Sequence, residues 1–329
     1  MKTTLLDEKT VVAYLKERKI FSPQSNPSVE ILIGGVSNVV LAISGEGKDL
    51  VLKQALPELK VKMKWVVEQR RALVEARAIQ VLHALTPLNV PKLYDVDPAR
   101  FILLIERAPR TATIWKEDLL AGIIHPEVGA NLGAILGQWH RSSSADPIIL
   151  DEFREDSLFE QLRINPFYRI LATKHEIIAN RVTDLIAELE RSQLCLVHGD
   201  YSPKNVLVEK NSQVIVLDFE VAHTGNPVFD LAFLLGHLLC KQEYFTELEK
   251  KKAIATTAIK FLSRYETQWG ASAASTLTWH MATIALARVD GMSPVNYLDT
   301  SSQVRVRKRT LAILGSEGPP SLTEVFLNP

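Results

Sequence analysis

Leu194-Cys195-Leu196-Val197-His198-Gly199-Asp200-Tyr201-Ser202-Pro203-Lys204-Asn205, with the run that follows it to Asp230, reads as short apolar strands with polar side chains at their ends. Val206-Leu207-Val208 is the second apolar run, and after the turn at Lys210-Asn211-Ser212 comes a third, Val214-Ile215-Val216-Leu217. Apolar runs of this length bounded by turn residues are typical of buried strands. They deliver Asp200, Asn205 and Asp218 to neighbouring chain reversals. Two carboxylates and an amide are the groups that a hard, oxygen-seeking cation and a hydroxyl nucleophile need close together.

Read as motifs, the stretch is HGDxxxxN from His198, DFE from Asp218 and GNPxxD from Gly225 to Asp230. This set closely resembles the catalytic and metal loops of the aminoglycoside phosphotransferase and choline kinase superfamily, small-molecule kinases that share the protein-kinase fold. Against the protein-kinase pattern H-R-D-L-x-x-x-N and D-F-G, Gly199 stands in place of the arginine and Glu220 in place of the glycine, and no A-P-E follows. Those departures point to the small-molecule branch and put a protein substrate in doubt.

The resemblance implies an α+β, bilobal protein-kinase-like fold. A small N-terminal antiparallel-sheet lobe with a glutamate-bearing helix, residues 1–105, would cover the nucleotide, and a larger, mainly helical lobe, residues 106–329, would carry catalysis and the acceptor.

Length and composition agree with that division. At 329 residues the chain exceeds the size at which one core usually stops growing. Lysine plus arginine equals aspartate plus glutamate at 38 each, which gives no electrostatic case for nucleic acid or an anionic membrane as partner. Cys195 and Cys240 sit in or beside apolar runs without metal-ligand spacing and read as packed thiols. The N-terminal residues carry charges through their apolar positions, unlike a signal peptide, and the long apolar runs are too short or too interrupted to span a bilayer. The expectation is a cytoplasmic protein.

In the first lobe, Val11 to Leu15 suggests a helix capping the outside. Strands are expected at Ile31–Ile33, Val39–Ile43 and Leu50–Lys53, then at Lys92–Val96 and Phe101–Ile105. Paired glycines before a strand most often mark only a hairpin, so the Gly34-Gly35 turn is weak evidence alone. In the resembling family this loop is frequently Ser/Asn-bearing, which implies Gly35, Ser37 and Asn38 as phosphate contacts. Lys53 is the implied partner of the nucleotide's α- and β-phosphates. A helical pattern from about Val66 to Leu85 puts Glu75 on a face with Ala72, Ile79 and Leu82, where a lone carboxylate is costly unless paired. Lys53 is its expected partner; Glu68, on nearly the same face, is the alternative. Glu106 and Ala108 follow the last strand, where the fold implied uses backbone groups to bind adenine.

After residue 106 the pattern turns helical. Val128–His140 is expected as a core helix, with His140 structural. Asp151–Tyr168 reads as irregular, and Ile177–Leu189 as amphipathic helix. Four further helices are expected, at 231–240, 251–265, 274–290 and 303–314. Asp230 precedes an apolar helix and reads as an N-cap, while the resemblance adds that it orients the catalytic loop.

The implied mechanism is ATP-dependent phosphoryl transfer to a small-molecule hydroxyl of the amino alcohol, sugar or aminoglycoside class, with GTP not excluded. Asp200 is the base, and Asn205 and Asp218 are the Mg²⁺ ligands. His198 braces the loop, Lys204 is placed to reach the γ-phosphate, and Glu220, His223 and Arg288 are candidates for metal or substrate contact. Leu52-Lys53-Gln54-Ala55-Leu56-Pro57 resembles the methylthioribose kinase branch, whereas Asp218-Phe219-Glu220 is the form common in choline-kinase-like members. Two other readings stand beside the enzyme: a catalytically silent kinase fold that binds nucleotide or a partner, and a protein kinase.

Overall fold

The computed structural model describes residues 4–32, 37–58 and 67–327, and the chain forms two compact units, Met1–Arg110 and Thr111–Pro329. Among its described residues the first unit holds five strands: β1 (Ser28–Ile31), β2 (Asn38–Gly45), β3 (Lys48–Ala55), β4 (Leu93–Asp97) and β5 (Ile102–Glu106). They form one antiparallel sheet in the order β1-β2-β3-β5-β4. Leu50 and Leu52 of β3 join Leu41, Ile43, Ile102 and Leu104 in a core that Val11, Tyr14 and Leu15 of α1 (Val11–Glu17) cover. The expected outer cap is therefore present. Strand residues alternate between faces, so Val51 and Lys53 point to the other side of the sheet, that of α2 (Arg71–Leu85). Lys53 lies two residues inside the end of β3 rather than at it.

The buried Arg71 guanidinium at the start of α2 ties the helix to the sheet. It donates to the carbonyls of Ser37 (2.5 Å), Leu56 (2.8 Å) and Glu68 (3.0 Å). A buried cation of this kind is tolerated only when its N–H groups are satisfied. Sequence periodicity alone offered no sign of that role.

The second unit carries α3 (Trp115–Leu120), α4 (Pro126–Ser144), α5 (Pro147–Glu152), α6 (Ser157–Phe159), α7 (Ile170–Lys174) and α8 (Ala179–Arg191) before the motif stretch. After it come α9 (Val228–Tyr244), α10 (Leu248–Trp269), α11 (Leu277–Asp290), α12 (Thr300–Leu314) and α13 (Leu322–Leu327). Two small sheets hold the motifs: β6 (Thr113–Ile114), β8 (Val206–Val208) and β9 (Val214–Val216) in the order β6-β8-β9, and β7 (Cys195–Val197) paired with β10 (His223–Gly225). Among the described residues no helix is long and apolar enough to cross a membrane.

One expectation needs correction here. Asp151–Tyr168 is not irregular: it ends α5, forms α6 and continues as a π-helix over Glu160–Arg169. Pro166 lies inside it and cannot donate the usual i→i−4 hydrogen bond, so the chain takes a wider turn instead of stopping.

The frame beneath the motifs is the packing of α4 on α10. Gly129, Gly133 and Gly137 recur every fourth residue of α4 and meet the α10 backbone directly; a Cβ on Gly137 would lie 2.7 Å from the Tyr265 carbonyl, and one on Gly133 would collide with that of Phe261. Gly133→Ala must therefore push the helices apart. It is expected to cost roughly 2 kcal/mol or more, at the upper side of overpacking effects, measured as a shifted urea midpoint with an unchanged slope.

Candidate active site

In the first unit Lys53 Nζ lies 2.5 Å from Glu75 Oε1, and both side chains are almost fully buried. Glu68, the alternative, is exposed and pairs with Arg70. The pair holds an ammonium at a fixed place on the sheet, since moving either charge off breaks a buried ion pair. Ser37 and Asn38 are buried where β2 begins: Asn38 Nδ2 donates to Ser37 Oγ (2.9 Å), and the Ser37 carbonyl accepts from Leu56 N (2.9 Å). Gly35 lies outside the described residues. Glu106 closes β5, its backbone N donating to Lys92 O (2.8 Å), and Ala108 follows it outside regular structure.

The motif loops of the second unit are built by short-range constraints. Gly199 has φ 75°, and a Cβ there would sit 2.6 Å from the Val221 carbonyl, so the second residue of HGD must be glycine in this backbone. The position that carries arginine in protein kinases is thus closed to any side chain. Asn205 and Asp218 are brought together by the β8–β9 hairpin, in which Val206 faces Val216 and Leu217 N donates to Asn205 O (2.9 Å). Asp218 itself has φ 71°. Left-handed backbone at a non-glycine residue is uncommon and is found where surrounding structure enforces it. Here Phe219 does so: fully buried, it packs edge-on against Trp139 of α4 (centroids 5.9 Å apart) and tilted against His198 (4.7 Å).

Asp200 is buried and charged. Its Oδ2 lies 2.8 Å from Lys204 Nζ and 3.2 Å from Arg163 Nη2. Burial and the neighbouring Asp218 push its pKa up, but Lys204 and Arg163 outweigh them and hold it below the usual carboxylate value. Arg163 also donates through Nε to Gly199 O (2.5 Å), so one guanidinium fixes both the backbone and the carboxylate of the loop. The sequence reading missed Arg163, because its helix has no ordinary period. Asn205 Nδ2 donates to Asp200 O (3.0 Å), which commits the amide nitrogen to the loop and leaves Oδ1 as the acceptor.

His198 accepts from Asp200 N at Nδ1 (3.1 Å), and its Nε2 then donates to Leu217 O (3.2 Å). Burial lowers its pKa, so it is a neutral brace between the two loops. Asp230 requires a correction. It is not the N-cap of α9, which is Pro227, but lies in the first turn. Its carboxylate instead accepts from His198 N (2.7 Å), Gly199 N (2.9 Å) and His140 Nε2 (3.2 Å). Of the remaining candidates, His223 stacks on Phe159 (4.0 Å) and contacts Val221 O through Nδ1 (3.1 Å), Glu220 is buried, and Arg288 lies in the last turn of α11.

A family model for phosphotransferase enzymes matches residues 28–264, from the first strand through the motif loops into α10. The chain belongs to the phosphotransferase enzyme family. Among its relatives in this family, methylthioribose kinase 2 of Oryza sativa subsp. japonica is 26% identical over 276 residues, 74% of this chain and 64% of the relative. The match thus spans a little under two thirds of that protein's length. A choline/ethanolamine kinase family protein from Mesorhizobium loti shares the fold with a TM-score of 0.58 at 16% identity, over 97% of each chain. An amicoumacin kinase in complex with AMP-PNP and Ca²⁺ does so with a TM-score of 0.56 at 15% identity, over 95% of this chain and 97% of the other. The bilobal kinase-like fold expected from the motifs is therefore the fold of this family member.

Proposed function

We propose that this phosphotransferase-family chain transfers the γ-phosphoryl group of ATP to a hydroxyl of a small molecule. The observation that carries the reading is the Asp200 carboxylate: ionised, buried and clamped by Arg163 and Lys204 in the loop after β7, whose backbone the Asn205 amide holds at the Asp200 carbonyl. A carboxylate whose pKa lies below its ordinary value is a weak base. Its work is to accept the acceptor's O–H as a hydrogen bond, point the oxygen at the γ-phosphorus, and take the proton as the new bond forms and ADP leaves.

The residues present fit a divalent cation such as Mg²⁺. One carboxylate, Asp218, and one amide oxygen, Asn205 Oδ1, make the sparse oxygen set that Mg²⁺ takes when phosphate and water complete its shell. When bound, such a cation neutralises phosphate charge. The Lys53–Glu75 pair is assigned the nucleotide's α- and β-phosphates, with Ser37, Asn38 and the backbone near Glu106 and Ala108 beside it. Lys204, already against Asp200, is assigned the incoming phosphoryl group. The kinship with a methylthioribose kinase, and the fold shared with a choline/ethanolamine kinase family protein and an amicoumacin kinase, support a small hydroxylated acceptor.

The test is ADP release with Mg²⁺ and ATP or GTP across sugars, amino alcohols and aminoglycosides. Turnover stimulated by none of them would count against the proposal. Lys53→Met should weaken nucleotide binding by roughly 10-fold or more, the value of a charge-assisted contact, read by calorimetry on the protein with ATP alone. Unchanged affinity would remove Lys53 from the phosphate site.

A further inference from the structure

Near Asp200 the second unit gathers Arg163, Lys204, Arg288 and Lys241, and only the first two have an ion-pair partner among the described residues. Arg163, from the π-helix, lies over the Phe167 ring (6.0 Å), and Arg288, from α11, lies over the same ring (5.6 Å). Lys241, from α9, is 1% exposed and has Nζ 5.1 Å from the centre of the Tyr297 ring. Burial first, and then the charges of Arg288, Lys241, Lys204 and Arg163, hold His237, one turn before Lys241, neutral.

Several carboxylates of the second unit are already committed. Asp200 is shared by Arg163 and Lys204, Glu243 by Lys251, Arg305 and Arg309, and Glu117 pairs with Lys116. Among the described residues neither Arg288 nor Lys241 has a carboxylate within salt-bridge distance. Arg288 Nε and Tyr297 Oη are moreover buried without a hydrogen-bond partner. Native proteins rarely leave a buried guanidinium Nε or a buried phenol oxygen without a partner, because each of these atoms gives up hydration with nothing returned. The cost is visible at Lys241, whose pKa burial pushes down to about 7.

We propose that the acceptor of this enzyme carries an anionic group, a carboxylate or a phosphate ester, and that Arg288, Lys241 and Tyr297 bind it while Asp200 receives its hydroxyl. The proposal rests on the phosphotransferase reading and narrows it. Arg288 shares the Phe167 ring with Arg163, which contacts Asp200, so the anion's subsite falls on the side of the reacting carboxylate. The same field disfavours quaternary amines and polyamines, which would meet uncompensated like charge.

Two arms test it. In the first, inorganic phosphate is titrated into the intact protein with ADP present, and binding is followed by calorimetry and by thermal unfolding. Wild type should bind, and Arg288→Gln and Lys241→Met should each weaken binding by roughly 10- to 100-fold, the loss of one charge-assisted contact. The unliganded variants should unfold no earlier than wild type, since an unmatched buried charge has been removed.

In the second arm, matched acceptors that differ only in a neutral, cationic, carboxylate or phosphate substituent compete in the ADP-release assay. An anionic member should have the highest kcat/KM, and Arg288→Gln should raise its KM far more than it lowers kcat. The carboxylate and phosphate series identify which anion is used. Preference for neutral or cationic acceptors, with KM unmoved by Arg288→Gln, overturns the inference and leaves the kinase reading intact. No stimulated turnover at all overturns the kinase reading. Wild type that binds no phosphate overturns the inference by itself.

Discussion

Asp200→Asn is expected to lower kcat for acceptor phosphorylation by roughly 10³-fold, inside the range for a lost general base, with much less change in nucleotide affinity. Asparagine keeps the size of the side chain and its amide oxygen. It loses the charge that Lys204 (2.8 Å) and Arg163 (3.2 Å) neutralise and cannot take the hydroxyl proton. The two cations should then relax away from the loop. The pH dependence follows from the wild-type balance at Asp200, where burial raises the pKa but the two cations more than reverse it. The carboxylate therefore stays ionised down through the ordinary range near pH 4. Activity should not fall on its account between about pH 8 and pH 5, whereas a base of raised pKa would lose activity within that interval. Single-turnover phosphoryl transfer measured across this range checks both statements. A stimulated rate that survives Asp200→Asn removes Asp200 from the chemistry.

Much of this arrangement is legible in the sequence because its parts are local. His198, Asp200, Asn205 and Asp218 lie within two short loops on consecutive strands, so spacing alone groups them. Lys53 and Glu75 are legible for a different reason, a carboxylate on an otherwise apolar helix face that needs a nearby cation. Arg163 is not legible, since the Gly199 carbonyl it holds is 36 residues away and its own segment follows the π-helical period that Pro166 imposes. Arg71 escapes notice because its partners are backbone carbonyls, which no side-chain pattern marks. The four-residue glycine repeat of α4 is visible in the sequence, but only the α10 backbone gives it a meaning. Asp230 is a subtler case. Its place at the head of an apolar helix suggests a cap, yet the helix already begins at Val228 and the carboxylate is spent on another loop, with His140 90 residues away as its third donor.

That assignment makes Asp230→Ala the substitution with the largest expected effect on stability. The carboxylate is fully buried and accepts from His198 N, Gly199 N and His140 Nε2. Its removal strands all three donors, each worth about 1–3 kcal/mol when left unsatisfied, and a loss of roughly 3–5 kcal/mol is expected for breaking a buried charged cluster. Asp230→Asn should recover only part of this, because the amide has one acceptor oxygen and turns N–H groups toward the other donors. Burial raises the Asp230 pKa, but the His140 hydrogen bond and the adjoining His140 and His198 lower it below its ordinary value. A folded pKa below the unfolded one means that the contribution is present above about pH 4 and lost as pH falls toward the folded value. Wild type should therefore lose stability in acid more steeply than Asp230→Ala, and urea unfolding at neutral pH and below about pH 4 measures the difference. Activity separates positioning from bulk stability. Asp230 sets the left-handed Gly199 turn that aims Asp200, so Asp230→Asn assayed well below its unfolding temperature should lower kcat and leave nucleotide affinity nearly unchanged. A destabilised variant with wild-type kcat would show that the loop keeps its aim without this anchor, leaving the Arg163 and Asn205 contacts to hold it.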